Sequence, residues 1–223
     1  MTSRPAVSAV LITRDAERLL AEVLAALGWC DETLVVDSGS TDRTVAIAQA
    51  HGARVIRRPF DGFGPQKQFA AEQAAHDWVL AIDADEIISP ELAREIQATL
   101  HAVGAGTVRD VAFEIPRSLV FLGRLMRYGG EHRTPQLRLF DRRHGRYTPA
   151  LVHERVVVDG PIGRLRCEML HDSYAGLDDY FEKFNRYTTA AAQMLADLAA
   201  QVWEAAGRQS LAGPPLKTPV LET

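Results

Sequence analysis

At 223 residues the chain can build one sizeable domain, or a core domain with an appendage, and its 47% hydrophobic and 24% charged content is that of an ordinary globular protein. A formal net charge of −4 argues against general nucleic-acid binding. Cys30 and Cys167 lie far apart without metal-ligand spacing, no apolar run is long enough to span a bilayer, and Met1-Thr-Ser-Arg-Pro lacks the apolar core of a signal peptide. The expectation is therefore a reduced, cytoplasmic setting.

In chain order, Val7 to Thr13 is a β-rich run, and Glu17 to Leu27 sets Leu19, Leu20, Val23, Leu24 and Leu27 at helical spacing before Gly28. Glu32 to Asp37 predicts a second strand, followed by the loop Ser38-Gly-Ser-Thr-Asp-Arg43 and a helix ending at His51-Gly52. Ala53 to Arg57 reads as a third strand, Gly64-Pro65 opens a helix to about Ala75, and Trp78 to Asp83 is a fourth strand, buried on both faces. Ser89-Pro90 begins another helix to about His101. This rhythm predicts a parallel sheet with helices on both faces, where ligands collect at the carboxyl ends of the strands. Asp37, Arg57 and Asp83 all fall at those ends.

Beyond Gly104-Ala-Gly106 the pattern changes. Val111 to Ile115, Gln136 to Phe140 and Val152 to Val158 are strand-like, with turns at Arg143-His-Gly145 and Asp159-Gly160, so this half reads as more antiparallel. Cys167 to His171 suits a last short strand. Leu177 to about Ala206 is a long helix, with Tyr180, Phe181, Phe184, Tyr187, Met194, Leu195 and Leu198 on an apolar stripe expected to be packing surface. Gln209 to Thr223, proline-rich and poor in apolar residues, reads as a disordered tail.

Three features carry chemistry. Asp83 and Asp85 are two apart, so an extended segment would point both carboxylates one way, able to hold a divalent cation; the plainer alternative is a solvated turn. The loop after Asp37 joins strand to helix and could face phosphate, although it lacks the P-loop and G-x-G-x-x-G spacings; equally, Ser40 or Thr41 caps the helix. Asp37 is placed to accept from a base or ribose. Lys67 could meet phosphate or solvent.

Thr13-Arg-Asp15, Val35-Val-Asp-Ser-Gly-Ser-Thr-Asp42 and Asp83-Ala-Asp85, in this order, resemble the inverting family 2 nucleotide-sugar glycosyltransferases of the GT-A fold. Gly62-Phe-Gly-Pro-Gln-Lys-Gln-Phe-Ala70, Leu137-Arg-Leu-Phe140, Val152-His-Glu154 and His171-Asp-Ser-Tyr174 narrow the likeness to the lipopolysaccharide core β-1,4-glucosyltransferase group, over about residues 5 to 195. The resemblance implies an α/β fold of the GT-A kind in one domain, residues 1–208, with a nucleotide-sugar half (1–103) and an acceptor half (104–208). It implies a UDP-sugar donor bound by Thr13, Arg14, Asp37, Ser38, Gly39 and Arg57 on one side, and by Lys67, Asp83, Ala84, Gly129 and Gly130 on the other. Mg²⁺ or Mn²⁺ would sit on Asp83, Asp85 and His171, although His171 also reads as a plain strand-end histidine. Glu154 occupies the place of the acidic base. The stretch Glu131-His-Arg-Thr-Pro135 stands where many relatives carry an aromatic residue and a Pro-Asp pair, which makes Glu131 a second candidate. The implied partners are a lipid-linked saccharide such as the lipopolysaccharide inner core and, peripherally, the inner face of the inner membrane; no nucleic acid is implied, and oligomeric state stays open. Two alternatives remain: a sugar-1-phosphate nucleotidyltransferase, and a nucleotide-sugar-binding protein without turnover.

Overall fold

A computed structural model describes residues 4–130, 132–149 and 154–205. They fall into two compact units divided between Ser173 and Tyr174. The first unit opens with β1 (Val7–Thr13), α1 (Leu20–Ala26), β2 (Glu32–Asp37), α2 (Thr44–Ala50), β3 (Arg54–Arg57), α3 (Phe63–Gln73) and β4 (Trp78–Ala81). It continues through β5 (Glu86–Ile88), α4 (Pro90–Gly104), β6 (Ala112–Phe121), β7 (Arg124–Leu125) and β8 (Thr134–Asp141). The remaining strands are β9 (Gly145–Tyr147), β10 (Val156–Val158), β11 (Ile162–Arg164) and β12 (Met169–His171).

The main sheet runs β3-β2-β1-β4-β8-β6-β12-β5, with the first four strands parallel. After β1 the chain winds outward to β2 and β3, then returns to lay β4 on the other side of β1. That reversal opens a crevice beyond the carboxyl ends of β1 and β4. The sheet is buried on both faces because β1 alternates: Val7, Ala9 and Leu11 pack with Leu20, Val23, Leu92 and Ile96, whereas Val10 packs with Ala70, Ala71 and Phe140. Small residues on α3 let that helix lie close to the sheet, so its polar Gln66 and Lys67 are buried as well.

Several expectations need correction. The region after β4 is not one extended segment: a backbone bond from Glu86 N to Asp83 O (3.0 Å) closes a turn, and the chain re-enters the sheet as β5, paired antiparallel to β12. Three residues carry too little periodicity to announce a strand. The later half is more antiparallel, as expected, with β8 antiparallel to β4 and β6 and β12 antiparallel to β5, although β11 and β12 run parallel to β6. A long excursion separates β6 from β12, so no tight turn imposes reversal. The N-cap position of α2 is Arg43, without a side-chain cap; Asp42 Oδ1 accepts from Thr44 N (2.9 Å) just before it, while Ser40 and Thr41 are turned toward the first loop. Ser89 caps α4 as expected, accepting from Leu92 N at 3.1 Å.

Gly163 on β11 lies beside Phe113 of β6, where a methyl group would come within 2.6 Å of the ring. That ring packs on Trp78 at 6.0 Å between centroids and is 4% exposed, so it has little room to yield. Gly163→Ala should therefore destabilise the protein by about 1–3 kcal/mol, read as a lower urea midpoint with an unchanged slope.

The second unit holds α5 (Leu177–Ala205). Within it Tyr180 packs edge-on to Tyr174 and Phe181, at 5.1 and 5.4 Å between centroids. Phe181, Phe184, Leu195 and Leu198, expected to be packing surface, are at least 50% exposed. No helix among the described residues is long and apolar enough to cross a membrane. The segment Gln209 to Thr223 lies outside the described residues.

Candidate active site

At the carboxyl ends of β1 and β2 two loops are stitched together by side chains. Asp37 is 1% exposed and accepts from Thr13 Oγ1 (3.2 Å), Gly39 N and Ser40 N (3.0 Å each) and Ser40 Oγ. Those four bonds use about all the acceptor capacity of a carboxylate, so Asp37 moulds the loop from beneath. Above it, Asp15 N donates to Ser40 Oγ (2.9 Å), and Thr41 N donates to Asp15 Oδ1 (2.7 Å). Gln66, reaching up from α3, donates to Ser38 Oγ at 3.1 Å. Arg14, Gly39 and Arg57 stay exposed around this rim.

Following β4, Asp83 turns inward. Its Oδ1 lies 2.8 Å from Lys67 Nζ and its Oδ2 2.5 Å from Arg138 Nη2. Arg138 also donates to Glu86 Oε1 at 2.5 Å, while Glu86 Oε2 accepts from Asp83 N at 3.0 Å. Glu86 is fully buried, with Arg117 Nη1 3.6 Å away. Burial alone would raise the Asp83 pKa, but Arg138 and Lys67 overcome it and hold the carboxyl well below the usual range. Lys67 shows the converse: burial opposes its charge, Asp83 and Glu154 favour it, and the ammonium stays protonated above its ordinary range. Lys67 is thus a buried, doubly paired cation and not a solvent-facing one.

Asp85, after half-buried Ala84, faces the other way, toward β12. Its Oδ2 is 3.6 Å from His171 Nε2, beyond hydrogen-bond length. The neighbouring backbone is pinned, with Asp172 N donating to Asp85 O at 2.9 Å. Burial pushes the Asp85 pKa up, but His171 and Ser173 outweigh it and the repulsion from Asp83, and the carboxyl is lowered. The expectation that both carboxylates project together is therefore corrected: the turn sends Asp83 to two cations and Asp85 to a histidine. Among the described residues no three acidic, histidine or cysteine side chains converge as a metal set. Asp85 and His171 nonetheless offer the oxygen and nitrogen ligands a divalent cation takes, to be completed by phosphate and water. His171 Nδ1 is buried with no hydrogen-bond partner among the described residues. The donor set fits such a cation, with Asp85 as its carboxylate.

On the later half, Glu154 is 15% exposed and its Oε1 lies 2.8 Å from Lys67 Nζ. Glu131 lies outside the described residues, as do Val152 and His153. Gly129 and Gly130 have φ of 93° and 86°, a conformation that side chains resist, and they lead into a segment anchored on Ser118. Buried Ser118 Oγ donates to Glu168 Oε2 (2.5 Å), accepts from Arg133 N (2.9 Å) and lies 3.1 Å from His132 Nδ1. Sequence reasoning missed Arg138, Glu86 and Tyr147, the last a buried phenol beside Lys67, Arg138, Asp83 and Glu154. Arg138 had a signal, a lone arginine in the apolar run Leu137 to Phe140.

A parallel nucleotide-type half continued by a mixed sheet, with acidic turns at the strand ends, defines a GT-A α/β protein. The solved fold of Staphylococcus aureus TarS 1–349 superposes on it with a TM-score of 0.53 at 18% identity, covering 79% of this chain and 62% of that one. The chain belongs to glycosyl transferase family 2, whose profile matches residues 8–156. The lipopolysaccharide core biosynthesis glycosyltransferase LpsC of Rhizobium meliloti is 32% identical over 192 residues, 83% of this chain and 70% of LpsC. A Rickettsia felis glycosyltransferase is 47% identical over 92 residues, which are 41% of this chain and 32% of that protein.

Proposed function

We propose that the chain moves a hexose, glucose in the first instance, from a UDP-sugar to a lipid-linked saccharide such as the lipopolysaccharide inner core, with inversion at the anomeric carbon. The observation that carries this reading is the shared cation Lys67: the first aspartate of the Asp83-Ala-Asp85 turn and Glu154 lie at 2.8 Å on either side of it, donor-side and acceptor-side carboxylates in one cluster. Similarity to LpsC supports the acceptor class, and with it a working place at the inner face of the inner membrane. Residues 1–103 form the donor half and 104–208 the acceptor half in this reading.

Thr13, Asp37, Ser38 and Gly39 shape the nucleotide cradle, and exposed Arg14 and Arg57 supply positive charge at its rim. Gly129 and Gly130 admit the donor sugar without side-chain bulk. Asp85 and His171 would hold Mg²⁺ or Mn²⁺, which when bound would supply positive charge against the diphosphate of the leaving UDP. Glu154 takes the proton of the acceptor hydroxyl as its oxygen bonds to the anomeric carbon. The bond from that carbon to the diphosphate breaks in the same step, and UDP leaves with the electron pair.

A thermal-shift screen of UDP-, GDP- and ADP-sugars, with and without Mn²⁺, tests the donor. UDP-glucose should give the largest metal-dependent rise in midpoint; a larger rise with a GDP- or ADP-sugar would remove the uridine assignment. Because Asp37 holds the cradle through four hydrogen bonds, Asp37→Ala should shrink the preference for UDP over ADP in calorimetry. An unchanged preference would separate Asp37 from nucleotide choice. Slow release of UDP from UDP-glucose without acceptor would distinguish a transferase from an inert binder.

A further inference from the structure

We propose that Lys67 is the positioning residue for the acceptor base, so that the place of Glu154 is set from the donor half of the molecule. This deepens the reading above and rests on Glu154 being the base. Glu154 precedes β10 and belongs to neither strand of the β9–β10 pair. Its carboxylate is instead held by a helix from the opposite half, through Lys67 Nζ at 2.8 Å. Lys67 is itself fixed: it is 9% exposed on α3 and paired to Asp83 at 2.8 Å. Asp83 in turn is locked by Arg138, and Arg138 by fully buried Glu86. The chain of charges Glu154–Lys67–Asp83–Arg138–Glu86 therefore ties the base to the turn that carries Asp85.

Such a tether has a purpose in inverting transfer. The base must lie on the acceptor side of the anomeric carbon, opposite the departing diphosphate, and an error of about 1 Å in placement can cost about a hundredfold in rate. A strand-end glutamate without a tether samples several rotamers. A buried ammonium with one carboxylate on each side selects one. Lys67 itself accepts no proton and touches no reacting atom in this scheme.

The test is a double-mutant cycle read as UDP release from UDP-glucose in the presence of truncated-core lipooligosaccharide. Lys67→Met should lower kcat by about 10- to 100-fold while leaving KM for UDP-glucose within about twofold. In a Glu154→Gln background the same change should cost less than about twofold, because the group that Lys67 places is already disabled. Lys67→Arg, which keeps a cation, should recover most of the lost kcat. Lys67→Gln serves in the same cycle if the methionine variant does not fold. An equal loss of kcat in both backgrounds, or a loss confined to KM, would overturn the proposal and assign Lys67 to donor binding alone. Full activity of Glu154→Gln by itself would instead overturn the base assignment, and this inference with it.

Discussion

Asp85→Ala is expected to abolish metal-dependent binding of UDP while leaving the unliganded protein folded. The two aspartates of the turn differ in what already neutralises them. Asp83 has Lys67 at 2.8 Å and Arg138 at 2.5 Å, whereas Asp85 has His171 at 3.6 Å, and it carries the repulsion of Asp83 besides. Removing Asp85 therefore deletes the carboxylate available to a cation and leaves the Lys67–Asp83–Arg138 cluster intact. Asp83→Ala should behave differently, since it strips one partner from each of two buried cations and must cost more stability. The measurement is the unfolding midpoint of each variant with Mn²⁺ alone, UDP alone and both. An Asp85→Ala protein that still gains extra stabilisation from Mn²⁺ and UDP together would remove Asp85 from the metal.

Glu154→Gln is expected to keep donor affinity and lose turnover by about a hundredfold or more, the scale of lost general-base assistance. Glutamine preserves the oxygen that faces Lys67, so the tether survives as a hydrogen bond, but an amide takes no proton at neutral pH. Donor affinity from calorimetry and kcat from UDP release separate the two effects. Glu131→Gln is the necessary comparison, because that residue stands in the stretch Glu131-His-Arg-Thr-Pro135 beside the glycine pair. If Glu131→Gln is the inactive protein and Glu154→Gln turns over normally, the base has been assigned to the wrong carboxylate.

The wider geometry favours a rigid donor platform. Asp37, Asp15, Ser40 and Thr41 knit the first two loops together, and Arg18 donates to Asp172 O, joining the first loop to the segment after β12. Past the glycine pair, His132 and Arg133 are anchored on Ser118, itself bonded to Glu168, and Gly130 O accepts from Thr134 Oγ1 at 3.1 Å. Side chains that touch neither nucleotide nor sugar in the proposed scheme thus set the positions of those that do.

The sequence by itself determined the parallel βαβ half, the carboxyl-end placement of Asp37, Arg57 and Asp83, and the family. Apolar runs such as Leu34 to Val36 and Trp78 to Ala81 are buried wherever a sheet is covered on both faces, so their positions are readable locally. The direction of each acidic side chain was not readable. Asp83 and Asp85 diverge because a turn bond to Glu86 replaces the extended path, and that turn is held by Arg138, 55 residues from Asp83 in the chain. Lys67, ambiguous as a helix residue, becomes a buried bridge only when α3, β4 and the segment before β10 meet. Periodicity reports which face of an element is apolar. Which charge finds which partner is decided by long-range packing, because a buried carboxylate persists only where the fold delivers a cation or enough hydrogen-bond donors to it.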